Sequence, residues 1–304
     1  MYHESVLLKE SIDSLNVRRG EFYIDCNLGG GGHTAEILKR GGIVLGIDLD
    51  LNAIDFCTKR FEKEIKEKRL IIVNENFVNI RKVANENDWK DGTVSGIIYD
   101  LGLSTFQIKE EGNGFSFTDD SAFDMRMDKS LGIKAYDLLL ALSEKELTQI
   151  IAEYGEDPQA KWYAKVLKRA VKNAKRELSA KELADLIKKS SKYTKSKIHS
   201  ATRVFQAFRI AVNSELENLR QSLDGATPLL KDSGRLVIIS FHSLEDKIAK
   251  NLAGSPEEKN EEKDIKDLSR RLSAVDPNPI SPSSSEINRN PSSRSAKMRV
   301  FEKV

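Results

Sequence analysis

The chain has 304 residues, 39% hydrophobic and 32% charged, enough for one sizeable core or a core plus a smaller unit. Its two cysteines, Cys26 and Cys57, form no C-x-x-C pair, which excludes a disulfide framework and a cysteine-based zinc site and fits a reduced, cytoplasmic protein. No basic stretch leads into an apolar run at the N-terminus and no run approaches the ~20 residues that span a bilayer, so neither signal peptide nor membrane anchor is expected.

The first apolar run is "EFYIDCNL", residues 21–28, short and continuous as in a strand covered on both faces. Four glycines, Gly29 to Gly32, separate it from "HTAEILKR", which has helical spacing. A second strand over 42–50 carries Asp48 and Asp50 at its end and leads into the helical "NAIDFCTKRFEKEIKEK". A third strand at 70–76, the helical "VNIRKVANEN" and a fourth strand at 95–102 follow. This β-α-β-α order predicts a mostly parallel, doubly wound α/β sheet.

The next strand, "GRLVIISF", waits until 234–241, whereas a βαβ unit needs only about 30 residues. Residues 202–223 have the apolar spacing of a crossover helix. The surplus reads as an inserted domain at 103–201 between two halves, 1–102 and 202–304, of the main domain. The insert is expected to be helical. Ser143 with Glu146 and Ser179 with Glu182 fit capping boxes. Asp157-Pro158 reads as an N-cap followed by proline at the first helical position, and Gly155 as a helix end. After strand five come a short helix, "HSLEDKIAKNL", with Ser243 and Asp246 at capping spacing, and a charge-dense solvated loop, "GSPEEKNEEKDIKD". The Pro/Ser-rich stretch 277–297 reads as coil. The terminal "MRVFEKV" pairs with 270–275 as an antiparallel edge.

A glycine-rich turn from strand to helix lets a ligand approach main-chain N–H groups closely. An acid about 20 residues on, Asp48 or Asp50, suits the hydroxyls of an adenosine ribose. Two cofactors fit. Gly30, Gly32 and Ala35 satisfy G-x-G-x-x-A, which allows a nicotinamide dinucleotide and an oxidoreductase; S-adenosylmethionine is the other. Asp25, four residues before Gly29, suits a methionine amino group and would repel a pyrophosphate, which favours S-adenosylmethionine. Asp100 closes the fourth strand, where open sheets place their ligand crevice. There it is equally suited to hold cofactor or to accept a proton from a delocalised amine.

Between Gln159 and Arg203, 14 Lys/Arg face three acids, a net of +11 that leaves −9 for the rest of the chain. Lys161, Lys165, Lys168, Arg169, Lys172, Lys175 and Arg176 share one helix face, with Trp162, Val166, Ala170 and Ala174 on another. Such a face suits a phosphate backbone, and reversing charge at Lys165, Lys168 and Lys172 is expected to weaken RNA binding. Phe115, Phe117 and Phe123 read as core, with base stacking the other option. Asp119, Asp120, Asp124 and Asp128 could gather magnesium, but nothing in the pattern fixes their geometry, and no metal is expected. His33 and His242 stand where both can line the crevice, His242 alternatively as a local cap.

The blocks "HESVLLKE", "GGGGHTAEIL", "GIDLD", "YDLGLSTFQ", "GFSF", "DMRMD", "TRVFQAFRIAVNSELE", "ISFHSLED" and "RSAKMRV" stand in an order that resembles the bacterial small-subunit (16S) ribosomal RNA cytosine-N4 methyltransferase family, RsmH or MraW. The resemblance runs nearly end to end. It implies a Rossmann-like class I methyltransferase sheet interrupted by a helical substrate domain, with S-adenosylmethionine as methyl donor. The substrate it implies is a decoding-centre cytidine, in free ribosomal RNA or in a ribosomal subunit, acted on by a monomer or homodimer. The donor is then expected at Gly31, Gly32 and His33, with Asp48 at the ribose, Phe77 beside the adenine, and Asp100 and Gln107 completing the pocket. Here "STFQIK" replaces the family's usual Ser-Ser-Pro-Gln-Leu-Asp, with Phe106 in place of proline and Lys109 in place of an acid. A non-catalytic RNA-binding assembly factor on the same fold is the remaining alternative.

Overall fold

A computed structural model of the chain describes residues 5–102, 112–192, 199–252 and 271–304. The chain divides into two units, Met1–Gly102 with Leu216–Val304, and Leu103–Glu215. The first contains a seven-stranded sheet of β1 (Phe22–Asp25), β2 (Ile43–Asp48), β3 (Leu70–Asn74), β4 (Val94–Asp100), β5 (Leu230–Ser240), β6 (Leu272–Ala274) and β7 (Lys297–Lys303). Among the described residues, α1 (Leu8–Ser14), α2 (Gly32–Lys39), α3 (Leu51–Arg60), α4 (Glu62–Lys66) and α5 (Ile80–Glu86) precede the second unit. Within it lie α6 (Ala135–Ala141), α7 (Glu144–Gly155), α8 (Ala160–Asn173), α9 (Ala180–Ser190) and α10 (Thr202–Asn213). α11 (Glu215–Leu229) starts at the boundary and, from Leu216, belongs with α12 (Ser243–Asn251) and α13 (Ser284–Arg289) to the first unit.

Strand order is β3-β2-β1-β4-β5-β7-β6. The first five strands are parallel, β7 runs antiparallel to β5, and β6 antiparallel to β7. The continuously apolar runs are strands because both faces are covered: Val94 to Tyr99 of β4 are all buried. Order reverses between β1 and β4, so their carboxyl ends form the switch point where such sheets take ligands.

The core of this unit joins Leu28, Ile37, Cys57, Phe61, Ile98 and Met298 with Val6 and Leu7 from the first turn of the chain. Leu7 is fully buried and left-handed, φ 50 and ψ 36, a conformation that costs a bulky residue ~1–3 kcal/mol. The stretch expected as coil over 277–297 instead contains α13 and a 3₁₀ turn at Pro291–Ser295. Ser283 supplies the reason: its hydroxyl accepts the Glu286 N–H at 3.2 Å, an N-cap hidden among prolines and serines. In α12 the cap is His242 with Glu245 rather than Ser243 with Asp246, and Asp246 pairs with Lys297 and Arg299 of β7 instead. "GSPEEKNEEKDIKD" lies outside the described residues.

The second unit packs its helices around Phe123, Leu139, Leu147, Ile151, Tyr163, Leu167, Leu183 and Phe208. Both capping boxes form, with Glu146 and Glu182 N–H each 3.2 Å from the Ser143 and Ser179 hydroxyls. Asp157 accepts the Gln159 N–H at 2.8 Å in the preceding turn, and α8 starts only at Ala160. The left-handed residue ending α7 is Glu156, φ 48, not Gly155. Gly155 serves packing: a Cβ there would stand 2.6 Å from the Arg203 carbonyl oxygen of α10. That helix, expected as the sheet's crossover from residue 202, belongs to this unit. Val204, Phe205 and Phe208 are at most 4% exposed in its core, each worth about 1.5–3 kcal/mol of burial. The first unit resumes at Leu216, and α11 leads into β5.

Candidate active site

The turn after β1 is strung between its neighbours: Cys26 N–H reaches the Ile98 carbonyl of β4 (2.9 Å) and Leu28 N–H the Ile47 carbonyl of β2 (3.0 Å). Gly29 and Gly31 then take φ of +49 and +72, which favours glycine. Neighbouring side chains hold the main chain of this loop. Asp48 accepts the N–H of Gly29 at 2.7 Å and of Asp50 at 2.8 Å. The Cys57 thiol donates to the Gly29 carbonyl at 3.3 Å, and the Arg60 guanidinium to the Gly30 carbonyl. A Cβ on Gly31 would lie 2.5 Å from the Phe61 ring and 3.0 Å from the Cys57 sulfur, and one on Gly32 would run into the Ser5 hydroxyl.

Gly31→Ala therefore combines left-handed strain with overpacking. It is expected to destabilise by about 2–4 kcal/mol and to weaken any ligand of the loop. Thermal denaturation with and without ligand checks both; an unchanged midpoint would contradict the steric argument.

Among the described residues, three buried polar atoms beside this loop have no hydrogen-bond partner: Asn27 Oδ1, His33 Nε2 and Asp100 Oδ1. Unpartnered groups of this kind are costly and rare, and three together suit a polar ligand or bound water. His33, at the start of α2, is 3% exposed, and burial pushes it down to about 4, so it is neutral at physiological pH. Its Nδ1 lies 3.9 Å from Asp100 Oδ2. Burial, then the charges of Asp25 and Glu245, push Asp100 up to about 8. Asp48 is pushed up to about 6, mainly by burial.

Asp25, expected to meet a ligand amine, is 1% exposed and already engaged, its carboxylate taking the Thr34 hydroxyl at 2.7 Å and the Asn27 N–H at 3.3 Å. It clamps β1 to α2, and the open acceptor is Asn27 two residues on. The spacing rule for an acid before the glycines missed Asn27; its only signal was being the polar residue nearest the turn. With Asp25 and Asp48 largely ionised at neutral pH and Asp100 able to ionise beside a positive charge, the site suits a cation and disfavours a pyrophosphate.

Phe77 follows β3 in a 3₁₀ turn capped by Asn76 and meets Tyr99 edge-on, ring centroids 5.8 Å apart. Ser222 fixes both, donating to the Phe77 carbonyl at 2.8 Å and lying 2.6 Å from the Tyr99 hydroxyl. Gln107, with Phe106 and Lys109, lies outside the described residues. The loop and switch point thus bring Gly31, Gly32, His33, Asp48 and Asp100 to one edge of the sheet, and Phe77 follows β3.

In the second unit, α8 buries Ala160, Tyr163, Ala164, Leu167 and Val171. The apolar face expected at Trp162, Val166, Ala170 and Ala174 is only its margin, because the true stripe starts one residue later; Trp162 is exposed and donates to the Ser190 carbonyl at 2.8 Å. Lys161, Lys165, Arg169 and Lys172 of α8 are exposed, as is Lys175, which with Arg176 falls beyond the helix end at Asn173 instead of on its face; among the described residues these four and Lys175 pair with no carboxylate. Two residues of the expected basic face have other work. Lys168 donates to the Leu139 and Leu140 carbonyls at 3.1 and 3.0 Å, closing the end of α6, and Arg176 binds Glu182 at 2.7 and 2.9 Å.

The phenylalanines are core: Phe123 is 2% exposed, and Phe115 and Phe117 pack on the same cluster. The four aspartates do not converge. Asp119 accepts the N–H groups of Gly112, Gly114 and Ser121, Asp120 pairs with Lys181, Asp124 with Arg126 and Lys129, and Asp128 accepts from Ser130. No helix among the described residues is long and apolar enough to cross a membrane.

The sequence matches the MraW methylase family over residues 1–304. It is 40% identical over 323 residues to "Ribosomal RNA small subunit methyltransferase H" of Clostridioides difficile (strain 630), covering 100% of this chain and 99% of that protein. It is 41% identical over 313 residues to the protein of the same name from Syntrophus aciditrophicus (strain SB), covering 100% and 98%. Among solved structures, an rRNA methylase from Streptococcus thermophilus aligns at 13% identity with a TM-score of 0.43, covering 97% and 95% of the two chains.

Proposed function

The chain belongs to the MraW methylase family, and on that footing we propose that it methylates the exocyclic N4 amine of a decoding-centre cytidine in 16S ribosomal RNA. The donor is S-adenosyl-L-methionine, the transfer direct and in line, and the setting cytoplasmic. The observation that carries this reading is the set of unpartnered buried atoms, Asn27 Oδ1, His33 Nε2 and Asp100 Oδ1, beside a loop of left-handed glycines.

When bound, S-adenosyl-L-methionine supplies a methyl group on a sulfonium that needs no further activation. Asn27 and Asp100 would face its cationic methionine end, with the main chain of Gly31, Gly32 and His33 around it. Asp48 would accept the ribose hydroxyls with the lone pairs that its two main-chain contacts leave over. Phe77, braced by Tyr99, would flank the adenine, and Gln107 is assigned to the set by resemblance alone. The chain's contribution is then mainly orientation and exclusion of water. Asp100 Oδ1 is the candidate acceptor for the proton that the cytosine amine must lose. The basic face of α8 would hold RNA phosphates.

Incubation with labelled donor and with small-subunit RNA, free or in subunits, followed by nucleoside mass spectrometry, tests the proposal. N4-methylcytidine is the expected product. Label appearing only in another nucleoside would refute the specificity, and donor binding without transfer to any RNA would support the assembly-factor alternative.

A further inference from the structure

Glu286 looks like an ordinary first-turn acid of α13: its N–H is capped by Ser283. Its side chain does something else. Oε1 accepts the main-chain N–H of Leu7 at 2.7 Å, across 279 residues of sequence, in a buried setting where Glu286 is 8% and Leu7 0% exposed. Leu7 is the left-handed residue of the first turn, and a bulky side chain keeps that conformation only where its surroundings over-determine it. Those surroundings are the carboxylate on its N–H, the Ser11 N–H on its carbonyl at 2.8 Å, and the core cluster that Val6 and Leu7 share with Leu28, Cys57 and Phe61. The turn so fixed delivers the Ser5 hydroxyl to the space beside the Gly32 Cα that any Cβ would need. Gly32 opens α2, directly before His33.

We propose that Glu286 is a positioning residue of the donor site: it holds the Ser5–Leu7 turn against Gly32 and thereby fixes where α2, with His33, begins. The inference rests on the reading that this loop binds S-adenosyl-L-methionine. It makes the C-terminal segment part of the donor site without touching the donor.

Two substitutions separate reach from charge. Glu286→Gln keeps the length and an acceptor oxygen but loses the charge; Glu286→Asp keeps the charge but falls one methylene short of Leu7. If the bond to Leu7 matters, donor affinity by calorimetry falls at least ~10-fold in E286D and stays within ~3-fold of native in E286Q. Amide exchange at residues 5–7 and 29–33 should then rise together in E286D while β1 and β4 stay protected. Combining Ser5→Gly with E286D should add little to either alone, because both act through one contact. The inference is overturned if E286D lowers only the melting temperature, with donor affinity intact, or if E286Q is the more damaging variant. A native chain that binds no S-adenosyl-L-methionine at all would instead overturn the donor reading, and this inference with it.

Discussion

Replacing Asp100 by Asn is expected to lower kcat/KM for methyl transfer by roughly 100-fold and to remove the part of the pH dependence of donor binding that is centred near 8 in the native chain. In the free chain Asp100 is pushed up to about 8 by burial and by the charges of Asp25 and Glu245. It is therefore mostly protonated at neutral pH. A sulfonium and an ammonium group brought beside it favour the ionised form, so binding should expel a proton. Affinity should climb with pH until about 8 and then level, as the free chain's carboxyl ionises unaided. Below about 6.7 the donor's own amino group, of ordinary value about 7.7–8.0, stays at least about nine-tenths protonated, so the slope there belongs to the protein. Calorimetry in buffers of different ionisation enthalpy counts the released proton directly; a native chain that releases none at pH ~7 contradicts the assignment.

The same residue sets a stability trend of defined sign. A carboxyl whose folded value lies above the unfolded one stabilises when protonated, and that contribution is lost as pH rises. Asp25 and Asp48, at about 6, and His33, at about 4, have largely finished titrating by neutrality. Between pH ~7 and ~8 the donor-free native chain should lose roughly 1 kcal/mol that Asp100→Asn does not.

The second large effect belongs to the other unit. Replacing Lys161, Lys165 and Lys172 together by Ala is expected to weaken RNA binding roughly 100-fold near physiological salt. The slope of log affinity against log salt should flatten by about 2–3, since each lost phosphate contact removes ~0.7–0.9. Donor affinity should not change. These three replace the set centred on Lys168, because Lys168 caps the end of α6 through the Leu139 and Leu140 carbonyls. Lys168→Ala should instead lower the melting temperature of the helical unit with a smaller effect on the salt slope. Equal slopes for native and triple variant, measured by filter binding across a salt series, would sink the assignment of this face to phosphate.

Much of the first unit was legible because its signals are local. Strands covered on both faces must be largely apolar, as β2 and β4 are and as β5 is over Leu236–Ile239. A close-approach loop must shed its side chains, and Gly29 to Gly32 do. In the second unit too, helix caps declare themselves by three-residue spacing, as at Ser143 and Ser179. Where two signals competed, spacing alone left both open: Ser243 and Asp246 had capping spacing beside His242, and the structure takes His242 as the cap while Asp246 is drawn to Lys297 and Arg299 of β7. In the Pro/Ser-rich stretch, composition hid the cap at Ser283.

By itself the sequence determined the parallel sheet with its antiparallel edge, the glycine turn, the acid closing each of β1, β2 and β4, and the basic character of α8. Each follows from periodicity, backbone freedom or charge within a few residues. Only the tertiary structure decided that α10 joins the helical unit, that Asp25 is spent on Thr34 while Asn27 stays open, and that Lys168 closes a helix end. It alone decided that Glu286 reaches Leu7. These are questions of which partner a group meets across long stretches of chain, and burial decides them: a polar group taken out of water must bond whatever the fold has brought beside it.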